Sequence, residues 1–344
     1  MTRAAVCPEY GPPEVVRITE QSSQALESGQ VRVRVSAAAV NYPDVLLVAN
    51  RYQISVPPPF VVGSEFAGVV IEVADEAGGF AVGDRVTGTQ MFGAFAEEVA
   101  VATHILARVS DAIDDRTAAA FGVAHRTAYH ALRSIARVRA GDTVVVLGAG
   151  GGVGLAAVQL AAALGADVTA VASSAEKLDA AGSYGARYLI DHRAGDLRAS
   201  LREALPDGAD AVIDPVGGDL SEPALRSLRR GGRFVTVGYA SGVIPSIPLN
   251  LILVKGVAVL GFQFQDVAPD EFARNEEELR DLLVTGAVAP HIGAVYPLAE
   301  TSRALRHVAD GKAVGKVLID LRGRVGVPPT RRVGGERSDF SSPG

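Results

Sequence analysis

The chain has one cysteine, two methionines and no tryptophan in 344 residues. A lone cysteine, Cys7, excludes an internal disulfide and any zinc site built from several cysteines. The six histidines lack the spacing of metal ligands, so no metal is expected. Lys and Arg number 33 against 39 Asp and Glu, a net charge of −6. Nucleic-acid binding, which needs a clustered basic surface, is therefore not expected. No apolar run is long enough to span a bilayer, which argues against a membrane partner. The start lacks a cationic segment followed by an apolar core and a cleavage site, so the cytoplasm is the expected location. The absence of tryptophan excludes nothing.

What is abundant is small and apolar. Hydrophobic residues make up 48% and charged residues 21%, the balance of a soluble globular protein, and the length favours two domains. The most informative stretch is 142–177. Val144, Val145, Val146 and Leu147 form an unbroken apolar run, as in a strand buried on both faces of a parallel sheet. Gly148, Gly151 and Gly154 follow at spacing three, with Gly152 and Val153 between them and a helix expected from about 153 to 164. Such glycines turn the chain tightly, admit a pyrophosphate to backbone N–H groups and let the helix pack on the strand. Ala149 breaks a strict G-x-G-x-x-G. A second Val-rich strand at 167–172 completes a βαβ unit, and that context favours dinucleotide binding over an ordinary glycine-rich loop.

The first 120 residues read as short strands punctuated by Pro and Gly, among them 3–7, 31–40, 68–73, 85–88 and 95–101. From about 116 the composition turns to Ala-rich helix, with apolar residues at helical spacing over 117–132. Strands at 187–190, 210–213 and 233–237 then alternate with helices near 175–184, 196–204 and 219–229, which predicts a doubly wound parallel sheet. An apolar strand at 257–262, helices at 270–285 and 299–310 and a last strand at 316–320 follow. The segment 322–344, rich in Arg, Gly, Pro and Ser, reads as a disordered tail.

Several motifs occur together and in order: Asn41-Tyr42-Pro43-Asp44, Gly63-Ser64-Glu65-Phe66-Ala67-Gly68, Gly83-Asp84-Arg85-Val86, Thr127-Ala128-Tyr129, Asp214-Pro215-Val216-Gly217-Gly218 and Gly315-Lys316-Val317. By these motifs the chain resembles the zinc-free quinone oxidoreductase branch of the medium-chain dehydrogenase/reductase superfamily, over residues 1–321. The resemblance implies an α/β protein with a GroES-like β-rich catalytic domain, 1–122 and 265–321, and a Rossmann nucleotide-binding domain, 123–264. It also implies a homodimer formed through the strand near 257–262. In the zinc-dependent relatives a cysteine stands in the region of Asn41 and a Gly-His-Glu motif matches Gly63-Ser64-Glu65. Both metal ligands are missing here, which favours metal-free reduction of an electrophilic small molecule.

The second strand of the βαβ unit ends in Ser173 and Ser174, with Lys177 soon after and no carboxylate to accept from a ribose. Hydroxyls and a cation suit a 2′-phosphate, so NADPH is the expected cofactor; Ser-Ser also serves as a helix cap. The resemblance expects a tyrosine near 192, where this chain has His192. It places Gly238, Tyr239 and Ser241 near the nucleotide, Phe262 and Phe264 near the nicotinamide, and Asn41, Tyr52 and Thr127 around the reacting face. Asn41 would donate to a carbonyl oxygen, Thr127 would hold the nicotinamide, and Tyr52 would line the pocket or deliver a proton. His125 reads as structural or as a proton shuttle. Three activities stay open: reduction of quinones or related conjugated carbonyls, reduction of enoyl thioesters, and NADPH binding without turnover.

Overall fold

The computed structural model describes residues 1–322. The tail expected from 322 onward falls, apart from Arg322, outside the described residues. Six parallel strands form one sheet in the spatial order Ala186–Asp191, Asp167–Ala172, Thr143–Leu147, Ala209–Asp214, Leu228–Thr236 and Ala258–Gly261. Numbered along the chain this is 3-2-1-4-5-6, the doubly wound order whose direction reverses between the first and fourth strands. The apolar run at 144–147 is completely buried, because helices cover both faces of the sheet.

The other large sheet runs Ile292–Pro297, Lys316–Asp320, Gln30–Val40, Glu65–Val73, Arg85–Thr89 and Leu106–Arg108, with Glu98–Ala102 also paired to Gln30–Val40. Val31, Val33 and Val35 point into its core while Arg34 faces out, as the period of two predicts. Composition gave no hint that the chain's last strand would return to its beginning. Val317, Leu318, Ile319 and Asp320 pair antiparallel with Val40, Ala39, Ala38 and Ala37. A three-stranded sheet of Arg17–Gln21, Thr2–Cys7 and Phe60–Val61 completes this half.

Three expectations shift. The helix expected at 219–229 is only Ser221–Arg226, because buried Leu228 already pairs with Ala209 and starts the next strand early. The strand expected at 95–101 is Glu98–Ala102; Phe95 and Ala96 are buried before the ladder begins. The helix Tyr42–Val48 was not anticipated, although Asn41, Pro43 and Asp44 carry its start signals. No described helix is long and apolar enough to cross a membrane.

If the last strand is part of the first half's core, Ile319→Ala should cost about 2–5 kcal/mol in urea unfolding, since Ile319 is fully buried there. An unchanged midpoint would contradict that placement.

Candidate active site

The glycine turn sits at the carboxyl end of Thr143–Leu147, beside the 215–218 turn that follows Ala209–Asp214. This is the topological switch point, where open α/β sheets bind ligands. A Cβ at Gly154 would lie 2.0 Å from the Gly148 carbonyl oxygen, so only glycine lets the helix Gly152–Ala163 start this close to the turn. Gly151 N–H donates to Gly148 O at 2.9 Å, and half-buried Val153 packs toward the core behind.

Ser173 and Lys177 come together at the tip of Asp167–Ala172, with the Lys177 ammonium donating to Ser173 Oγ at 3.3 Å and to Gly311 O at 2.6 Å. Its aliphatic stem lies across Gly150. Burial, then the nearby Arg193 charge, lowers the Lys177 pKa. Ser174 caps the helix Ala175–Ser183, accepting from Lys177 N–H at 3.4 Å. The capping reading thus holds for Ser174, while Ser173 keeps its hydroxyl at the ammonium. His192 is half-buried and its pKa is also lowered, mainly by burial and then by Arg193.

Gly238, Tyr239 and Ser241 lie on a loop folded against the 215–218 turn, with Gly238 N–H donating to Asp214 O and Ser241 N–H to Val216 O. Phe262 and Phe264 meet edge to face at 5.0 Å. Phe264 also packs beside His130, Phe272 and Arg126, so much of its contact is structural.

Asn41 is buried at the start of helix Tyr42–Val48. Its Nδ2 donates to Glu65 Oε2 at 3.1 Å, and its Oδ1 accepts from Lys316 Nζ at 2.6 Å. Lys316 also pairs with Glu65 at 3.2 Å, and Val123 N–H donates to Glu65 Oε1 at 2.6 Å. The sequence-based candidates omitted Lys316 and Glu65, although both stand in the motifs quoted above; Asp44, open between a turn and a catalytic role, lies in the same cluster. Tyr52 is half-buried at the margin of the first core, and Thr127 is half-buried in Asp115–His130. Neither side chain hydrogen-bonds within the described residues, so nothing pins either to Asn41.

The two sides join at the glycine turn. Gly315 N–H donates to Gly150 O at 2.8 Å, Gly151 bridges to Gly315, and a Cβ at Gly152 would lie 3.0 Å from Lys316 Cδ. His125 is buried and stacked on Phe121 at 4.3 Å, with no hydrogen-bond partner for either ring nitrogen among the described residues. Burial, aided by the Lys316 charge, pushes its pKa down to about 3, which favours the neutral ring near pH 7. Among the described residues no three His, Cys, Asp or Glu side chains gather as a metal site.

Comparison with known proteins gives the same outline. The alcohol dehydrogenase GroES-like domain matches residues 27–111, and the zinc-binding dehydrogenase family matches 152–281. The chain is 36% identical to quinone oxidoreductase-like protein 2 of Bos taurus over 325 residues, 93% of each chain. The solved structure of Escherichia coli quinone oxidoreductase complexed with NADPH superposes with a TM-score of 0.84 at 27% identity, covering 92% of this chain and 99% of that one. A mycobacterial protein complexed with NADPH gives 0.86 at 30% identity, covering 93% and 99%.

The same site carries a pH signature. Asp44 is completely buried, with Oδ2 accepting from Asn41 N–H at 2.7 Å and Oδ1 without a partner among the described residues. Burial, reinforced by the Glu65 charge and opposed by that hydrogen bond, Ser64 and Lys316, pushes its carboxyl up to about 7. Folding therefore favours neutral Asp44. Its contribution is full below the ordinary carboxylate pKa and is lost as pH rises to about 7, at up to about 1.4 kcal/mol per pH unit. Asp44→Asn keeps a cap acceptor without the charge. Its melting temperature relative to wild type should climb from about pH 4 to about pH 7 and then level off. A difference independent of pH would contradict the assignment.

Proposed function

Because the chain belongs to the zinc-free quinone oxidoreductase branch of the medium-chain dehydrogenase/reductase superfamily, we propose that it uses NADPH to reduce quinones or related conjugated carbonyls without zinc. The observation that carries this reading is the junction at Gly151–Gly152, where the candidate phosphate turn meets Lys316 and, through it, Asn41 and Glu65. A dinucleotide on the turn would reach from Ser173 and Lys177 at one end to the Asn41 cluster at the other.

The residues at the adenosine end fit a 2′-phosphate. Lys177 is a half-buried cation whose partners are a hydroxyl and a carbonyl, and Ser173 adds the hydroxyl a phosphate oxygen would use. Gly148, Gly151 and Gly152 would present backbone to the pyrophosphate. Gly238, Tyr239 and Ser241 would border the nucleotide, and Phe262 and Phe264 the nicotinamide. When bound, NADPH supplies a hydride, and the acceptor takes it up together with one solvent proton. Asn41, Tyr52 and Thr127 are assigned to the acceptor side: Asn41 fixes local polarity, while Tyr52 and Thr127 shape the wall. Asn41 and Ser64 occupy the positions matched to the cysteine and histidine ligands of the zinc-dependent relatives, and neither supplies a thiolate or imidazole.

A second copy would pair at the sheet edge Ala258–Gly261. Beside it Leu249, Leu253 and Val254 are each at least 70% exposed, an apolar face that a partner would cover.

The acceptor is tested by following NADPH absorbance with a panel of quinones, enones and enoyl thioesters. Turnover with quinones or enones is expected. Turnover with thioesters alone would make the protein an enoyl thioester reductase, and none at all a binding protein. Lys177→Ala should raise KM for NADPH by about 10-fold or more and leave that for NADH nearly unchanged. Equal effects on both would refute the 2′-phosphate assignment.

A further inference from the structure

The Lys316 side chain is 4% exposed and faces a fully buried Glu65. Burying two opposite charges costs several kcal/mol of hydration, and a well-packed apolar pair often serves stability as well. Packing alone therefore does not account for an ammonium at this point. Its placement is tightly determined. Residue 316 opens the strand Lys316–Asp320, its N–H donates to His291 O at 2.7 Å, and its stem passes under Gly152.

The hydrogen bonds also fix what Asn41 can do. Its Oδ1 takes a proton from the ammonium, and its Nδ2 is turned to Glu65, with Ser64 Oγ and Ala39 O at 3.4 Å. Asn41 is thus committed inside the cluster and is not a free donor for an acceptor carbonyl. The Glu65 carboxylate is held from its far side by Val123 N–H. Two of the three ammonium protons go to Asn41 and Glu65, and the third has no acceptor among the described residues. Asp44 on the helix Tyr42–Val48 and His125 on Asp115–His130 both feel its charge, and His291 lies beside it, its carbonyl accepting from Lys316 N–H.

We propose that Lys316 is the fixed positive charge of the acceptor site: a positioning residue that locks the Asn41 amide and whose field stabilises negative charge developing on the acceptor oxygen. The inference rests on the hydride-transfer reading above. Hydride addition gives the acceptor two electrons and one hydrogen, NADPH leaves as NADP⁺, and the resulting oxyanion takes one solvent proton. A preorganised cation in a dry site acts most strongly in the transition state, where charge appears. Here it stands among the positions, Asn41 and Ser64, that the zinc-dependent relatives give to metal ligands, so an ammonium supplies the charge that a metal supplies there.

Lys316→Met alone strands Glu65 as an unpaired buried charge and is expected to lower stability sharply. The informative comparison is between Glu65→Gln and Glu65→Gln/Lys316→Met. With a quinone acceptor, kcat should fall ~100-fold on removing the ammonium while the NADPH dissociation constant stays the same, and Lys316→Arg should retain part of the rate. A second readout needs no turnover. In the NADP⁺-saturated protein under alkaline conditions, 4-nitrophenolate, which mimics the oxyanion, should bind ~10-fold more weakly to the double variant than to Glu65→Gln, with nitrobenzene unaffected. Equal phenolate affinities, or a loss confined to NADPH affinity, would overturn the inference. A wild-type protein inactive with every acceptor would refute the preceding reading, and the phenolate comparison would still decide the role of the ammonium.

Discussion

Two backbone contacts at one point, Gly315 N–H on Gly150 O and the bridge between Gly151 and Gly315, constrain most of what this protein can do. They tie the last described strand of one sheet to the glycine turn of the other. Lys316 is the next residue, so wherever the turn sits, the ammonium sits beside it, and with it Asn41 and Glu65. On the other side, Lys177 reaches from the parallel-sheet half to Gly311 O, four residues before the bridge. One short segment, 311–316, thus touches both ends of the proposed dinucleotide path. Its own support is the antiparallel pairing of Lys316–Asp320 with Gln30–Val40, set in a core where Val317 and Ile319 are buried.

How much of this was legible in the sequence depends on whether the signal is local. The strand at 144–147, the glycine turn and the doubly wound alternation are written in short windows, because parallel strands are apolar throughout and their connections need glycine. Asn41 was singled out as well, but as a donor to substrate. Its engagement with Lys316 joins residues 275 positions apart, and no period or spacing encodes that contact. Lys316 looked like one charge at the start of a short strand. Only the pairing of that strand with 37–40 reveals it as buried. Asp44 shows the intermediate case: its capping position is local, while its burial comes from the cluster around it.

The electrostatics of the cluster follow from the same enclosure. Burial favours neutral forms, which raises Asp44 and lowers His125, and the Lys316 charge adds to the second effect while opposing the first. Lys316 and Glu65 lie 3.2 Å apart in the same enclosure, and Asn41 Nδ2 and Val123 N–H donate to the two Glu65 oxygens.

The central step proposed for this protein is hydride transfer without a metal. Its most direct measurement is turnover of NADPH with a quinone acceptor in protein dialysed against chelator, with zinc and other transition metals quantified in the same sample. The expected result is an undiminished rate at metal contents far below one per chain. Activity lost on dialysis and restored in proportion to added zinc would contradict it.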